Sequence, residues 1–220
     1  VTRTASFWSS TVGKKIVMAV SGLIMVGFVI LHMAGNLQVF EGSAKLNTYS
    51  AFLHGPANEV LWILRVVLIV ALIAHVVSAY QLTVLDRAAR PVPYVKRELQ
   101  AATVGSRTMR IGGLVLALFI VLHILHFTTL TLQPVPLTEG DVYANVVASF
   151  QLWWVTLLYV IAMIFLGLHL YHGLWSSART LGFERGRLDP FKRPVALALA
   201  LIVWAGFTLV PVAVFFHLVQ

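Results

Sequence analysis

Cysteine is absent from the 220 residues. That excludes disulfides, a thiolate-held iron–sulfur cluster and a thiolate haem ligand on this chain, so any metal must be held by histidine or carboxylate. Charge is almost as scarce. Only 11% of residues are Asp, Glu, Lys or Arg, where a soluble domain carries roughly a quarter. With 59% hydrophobic residues and a mean hydropathy of +0.88, an ordinary soluble domain is excluded and a single membrane domain over residues 1–220 is expected. Acidic residues are the rarer sign, 8 against 16 Lys and Arg. None falls inside a long apolar run, which argues against a carboxylate proton relay through the core. No HExxH motif and no histidine–carboxylate cluster supports a zinc site.

What the chain does have is five apolar runs, at about residues 16–40, 60–82, 111–132, 152–176 and 195–218. Crossing a bilayer as a helix takes about 20 such residues. The first run is too long for a signal peptide and carries His32. Phe7 and Trp8 before it suit an interfacial segment. In the first connection Leu46, Tyr49, Phe52 and Leu53 fall on one helical face, which predicts a short surface helix; residues 141–150 predict another. Pro91 and Pro93 make the second connection irregular. Pro194 suits a first helical turn, and Pro211 is expected to kink the last span.

A net charge of +8 invites a nucleic-acid reading, but the cations follow the membrane. Arg3, Lys14 and Lys15 precede the first run. Arg87, Arg90, Lys96, Arg97, Arg107 and Arg110 fill the second connection, and Arg179, Arg185, Arg187, Lys192 and Arg193 the fourth. The first and third connections hold only Lys45, and Arg65 lies within a run. Cytoplasmic loops carry the excess of Lys and Arg. The expectation is therefore an all-α integral membrane protein of five helices, N-terminus cytoplasmic, with no nucleic-acid partner.

Four of these runs contain histidine, and ionisable groups within a membrane are rare and usually functional. Depth sorts them. His32 and His123 lie past the middle of outward-travelling spans, His75 and His169 past the middle of inward-travelling ones. Helical rise puts the two levels roughly 10–15 Å apart. This is the layout of two stacked bis-histidine haems in a four-helix core, with His32 and His123 on the outer iron and His75 and His169 on the inner. His126 and His172, each three residues after a ligand and on nearly the same face, are alternatives, or else polar contacts to propionate, quinone or protein. His54 and His217 read as interfacial. Gly27, Gly35, Gly112, Gly113, Gly167 and Gly173 suit either a flat macrocycle or close helix packing. Arg65, about 15 Å outward of His75, is a candidate partner for an outer-haem propionate or a snorkelling cation. Arg110 and Arg179 are candidates for the inner haem.

The order and spacing of these motifs resemble the membrane-anchor cytochrome b subunit of succinate:quinone oxidoreductases, in its single-chain, five-helix, di-haem form. The stretch from Ser9 to Gly22, SSTVGKKIVMAVSG, followed by HMAGN from His32, is similar to that family's first helix. His75 matches its second-helix ligand. Arg110, Gly113 and His123 match its third helix, and His169 with Gly173, Leu174, Trp175 and Ser176 its fourth, which favours His169 over His172. The resemblance implies two haem b groups. It also implies a flavoprotein (FAD) subunit and an iron–sulfur subunit docked on the cytoplasmic face, and electron transfer to a quinone, menaquinone in particular, in a bacterial cytoplasmic membrane. It allows a homo-oligomer of the whole complex. Quinone-site candidates are Ser21 and His172 inside and His126 outside. One departure stands out: some relatives carry a membrane glutamate near the fourth-helix ligand, where this chain has Phe165, Leu166 and Gly167. The same architecture would serve quinol:fumarate reductase. A haem-free transporter or assembly protein is the rival class, although no inverted repeat or broken helix pair is apparent.

Overall fold

The computed structural model describes residues 7, 10–89, 104–183 and 192–220. Arg3, Trp8, Arg90, Pro91, Pro93, Lys96, Arg97, Arg185, Arg187 and the side chain of Arg107 lie outside the described residues. The described chain is all-α, and five of its helices are long and apolar enough to cross a membrane. Helix α1, Thr11–Asn36, begins where the Ser10 hydroxyl accepts from the Gly13 N–H at 2.9 Å, an N-cap that satisfies one otherwise orphaned donor. It runs on through a 3₁₀ turn, Leu37–Glu41. Helix α2, Ser43–His54, is the first surface helix. Helix α3, Asn58–Ala88, is the second span and α4, Val104–His123, the third. Helix α5, Val142–Phe150, is the second surface helix, α6 is Trp153–Thr180 and α7 is Lys192–Phe215.

The boundaries differ from the apolar runs for local reasons. The third span leaves α-helical geometry in a π turn, Ile124–Thr128, and the N–H groups of Thr131 and Leu132 both close back on the Leu125 carbonyl. The chain then turns through Leu130 at φ 50°, so the span stops before residue 132. Helix α7 ends at Phe215 because His217 takes a left-handed conformation, φ 57°. Its N–H returns to Val214 and that of Leu218 to Ala213, the paired bonds of a Schellman cap. Gly182, φ 87°, closes α6 in the same way. Pro194 falls in the first turn of α7, and Pro211 lies inside a helix that stays continuous to Phe215.

Helix α6 is central, packing on α4, α7 and α1, while α1 also carries α3. Packing is strongest at the end of the bundle that carries α2 and α5, the end that the distribution of Lys and Arg is expected to place outside. There Val39, Leu46, Val146, Phe150, Val155, Tyr159, Val210 and Val214 form one cluster beneath the two surface helices. Asn47 of α2 clamps the start of α5: its amide donates to Asp141 at 2.9 Å and its carbonyl accepts from the Tyr143 N–H at 3.0 Å. Asp141 also caps α5 by accepting from the Ala144 N–H at 3.0 Å. These hydrogen bonds hold the Asp141 carboxyl below the usual carboxylate range. Among the described residues, helices α3 and α4 hardly touch. An apolar cleft of about 300 Å³ lies between them, lined by Leu72, Ile73, Val76, Val77, Ala117, Ile120 and Val121.

Candidate functional site

The four span histidines meet in two pairs. His32 of α1 and His123 of α4 have ring centroids 5.8 Å apart. His75 of α3 and His169 of α6 are 6.1 Å apart. Two imidazoles on opposite sides of one metal, at metal–nitrogen bonds of about 2.0–2.1 Å, would stand with their centroids about 6 Å apart. Rings that share an axis are free to twist about it, so the observed interplanar angles of 78° and 57° are compatible with that arrangement. Among the described residues no group of three or more His, Cys, Asp or Glu converges. Each pair offers two imidazoles, the number of protein ligands that a bis-histidine haem takes.

The glycines give the spacing between the pairs. A Cβ at Gly22 would stand 3.2 Å from His75 Cε1, and one at Gly113 would stand 3.9 Å from His169 Cε1. Both glycines thus lie at the level of the inner pair. Gly22 is ten residues before His32, and Gly113 is ten before His123. At about 1.5 Å per residue, two different helices give the same separation of roughly 15 Å. The remaining glycines divide. Gly35 makes room for Tyr49, Gly112 for Phe165 and Gly167 for Trp204, which is close packing. Gly27 and Gly173 have nothing within 4 Å of where a Cβ would be, so they leave open space on the histidine-bearing helices α1 and α6.

Each pair has its own orienting contact. His75 Nδ1 lies 2.9 Å from the Met18 carbonyl. A carbonyl only accepts, so Nδ1 carries the hydrogen and Nε2 keeps the lone pair, the tautomer of a metal-binding imidazole. Ser21 is buried beside it, its hydroxyl 2.7 Å from the Val17 carbonyl and 3.4 Å from His75 Nδ1. In the outer pair His123 Nδ1 lies 3.3 Å from the Tyr159 hydroxyl, while His32 stacks on Phe28 and tilts against Phe207. No family model, curated protein or solved structure matches this chain.

The two ambiguous histidines part company. His126 is buried, with Nδ1 3.0 Å from the Tyr159 hydroxyl and Nε2 3.0 Å from Ser149 Oγ. Both nitrogens are engaged, so it is a polar contact and His123 is the ring that faces His32. His172 packs edge-on against Trp175, and His172 Nδ1, Trp175 Nε1 and His169 Nδ1 are buried with no hydrogen-bond partner among the described residues. Arg65 lies over Trp62 at 5.0 Å and 3.5 Å from His54 Nε2, where α3 meets the end of α2. Arg110 pairs with Asp86 at 2.7 Å, joining α4 to α3 at their inner ends. Arg179 and Arg193 stand over the Trp175 ring at 5.6 and 5.0 Å. Tyr159, Ser149 and the Met18 carbonyl were not singled out from sequence. Tyr159 had a signal: it is ten residues before His169 on the same span, hence at the outer level, and a buried phenol needs a partner.

Proposed function

We propose that the chain is the di-haem cytochrome b anchor of a succinate:quinone oxidoreductase in a bacterial cytoplasmic membrane. On this reading it passes electrons from an iron–sulfur subunit toward menaquinone. The observation that carries this is the meeting of four imidazoles in two pairs, each at bis-imidazole spacing, on four different spans. Haem b bound there would supply one-electron iron chemistry. The chain's own part is to hold and orient. Met18 fixes the His75 tautomer, and the apolar walls of the four helices keep water from both levels.

The inner end is the better place for a quinone. His126 has both ring nitrogens engaged, and the Ser21 hydroxyl is bonded within its own helix. His172 Nδ1 and Trp175 Nε1 are instead buried with no partner among the described residues, and such groups cost about 1–3 kcal/mol each unless something accepts from them. A quinone carbonyl would do so. The flavoprotein and iron–sulfur partners would dock on the cytoplasmic face, where the cationic connections lie. The reverse reaction, quinol:fumarate reduction, would use the same residues.

The test is purification of the intact complex, a reduced-minus-oxidised spectrum and haem quantitation. Two b-type haems per chain and co-purifying flavin and iron–sulfur subunits are expected. A colourless preparation without these partners would replace this reading with the haem-free transporter or assembly protein.

A further inference from the structure

The two pairs are oriented by different kinds of atom. For His75 the partner is a main-chain carbonyl, which has one possible role. For His123 it is the Tyr159 hydroxyl, which can donate or accept. Were Tyr159 to donate to His123 Nδ1, the ring hydrogen would sit on Nε2 and that nitrogen could not bind a metal. The direction of one O–H bond therefore decides whether the outer pair is competent.

The surroundings leave two directions open, and only one of them suits a metal on His123. Tyr159 has a second, shorter contact, 3.0 Å to His126 Nδ1, and His126 Nε2 lies 3.0 Å from Ser149 Oγ. The reverse chain, started by the Ser149 hydroxyl, would put the His123 hydrogen on Nε2; the chain that leaves Nε2 free to bind a metal runs the other way. His123 Nδ1–H donates to the Tyr159 oxygen, Tyr159 O–H donates to His126 Nδ1, and His126 Nε2–H donates to Ser149. The phenol ring cannot turn away, because it is wedged edge-on between Phe119 at 5.0 Å and Phe150 at 4.9 Å. Ser149 is fully buried, and the π turn at Ile124–Thr128 brings His126 to the same hydroxyl as His123. Single π turns are frequent at functional sites.

We propose that Tyr159 is the positioning residue of the outer pair, with His126 accepting its O–H hydrogen bond so that the phenol oxygen accepts from His123 Nδ1 and His123 presents Nε2. This rests on the di-haem reading above. It assigns His126 a role that is neither ligand nor quinone contact. An acceptor behind Nδ1–H makes an imidazole a stronger donor to iron and favours the ferric state. Outer partners of metal-bound histidines typically matter 10–100-fold.

The experiment is redox titration of the intact complex carrying Tyr159→Phe, with the outer haem recognised as the one that survives His75→Leu. Removing the hydroxyl should shift the outer ferric/ferrous equilibrium about tenfold toward ferrous, a midpoint rise of about 59 mV for one electron. The inner midpoint should stay put, which also reports an intact fold. His126→Gln keeps an acceptor for Tyr159 and a donor for Ser149, so it should retain the wild-type midpoint and haem content. His126→Leu should lower outer-haem occupancy while sparing the inner. Two haems with no selective shift in Tyr159→Phe, or identical behaviour of His126→Gln and His126→Leu, would overturn this inference and leave the function standing. A wild-type complex without haem would overturn both.

Discussion

Substituting ligands two at a time is the sharpest perturbation of the paired geometry, because the pairs predict which double variants should be additive. Each iron site would use one ring from each of two helices, so losing either ring should lose that haem. His75→Leu and His169→Leu should each reduce the content from two haems to one, and combining them should cost nothing further. His75→Leu with His123→Leu crosses the pairs and should leave none. The independence follows from the separation of roughly 15 Å given by Gly22 to His32 and Gly113 to His123 at the helical rise. Changes more than about 7–10 Å apart that share no partner usually add. Leucine fills similar space and removes a polar group, so the bundle should still insert and purify. Pyridine haemochrome assay gives the stoichiometry, and low-temperature difference spectra report which haem remains. The reasoning fails if His75→Leu/His169→Leu strips both haems, or if His75→Leu/His123→Leu keeps one.

Gly22→Val should selectively weaken the inner haem, because a Cβ there already stands 3.2 and 3.3 Å from the His75 ring and a branched side chain would push that ring off the Met18 carbonyl; titrating haem into the apo-complex should show a 10–100-fold loss of inner affinity. Asp141→Ala removes the α5 cap and the Asn47 clamp and should cost about 1 kcal/mol of stability, read in thermal melts. The Asp141 carboxyl is depressed in the folded chain, so its contribution is full above the unfolded value near pH ~4 and is lost as pH falls through the lower folded value; Asp141→Asn should remove that acid-side dependence. The absence of native cysteine allows a direct topology test: cysteine at Lys45 should react with an impermeant maleimide from outside, and at Arg87 only after permeabilisation.

The spans were legible because apolar runs of bilayer length leave few alternatives, and the pairs were legible because depth on a helix is arithmetic. Both surface helices could be anticipated, one from Leu46 and Tyr49 on one face, the other from Asp141 at its head. What escaped were contacts whose partner is not a side-chain type. The Met18 carbonyl belongs to the backbone, so nothing in the sequence marks it as the atom that orients His75. The π turn at Ile124–Thr128 changes where His126 points, and periodicity assumes α-helical geometry. The Arg65 side chain meets Trp62 and His54, neighbours that depth along a helix does not reveal. The unpartnered nitrogens of His172 and Trp175 emerge only once burial is known.

Helix α3 leans on α1 and on the end of α2, but is nearly detached from α4 across the apolar cleft. Its other ties are the Arg110–Asp86 bridge at the inner ends and the meeting of His75 with His169. A span packed along one neighbour and open toward the next is hung on one side, like a door. If the chain binds haem as proposed, that open side would give a flat hydrophobic guest a sideways route into the bundle, with His75 as the latch. Maturation of the chain would on this view proceed from within the bilayer, with no need for an opening to water on either face.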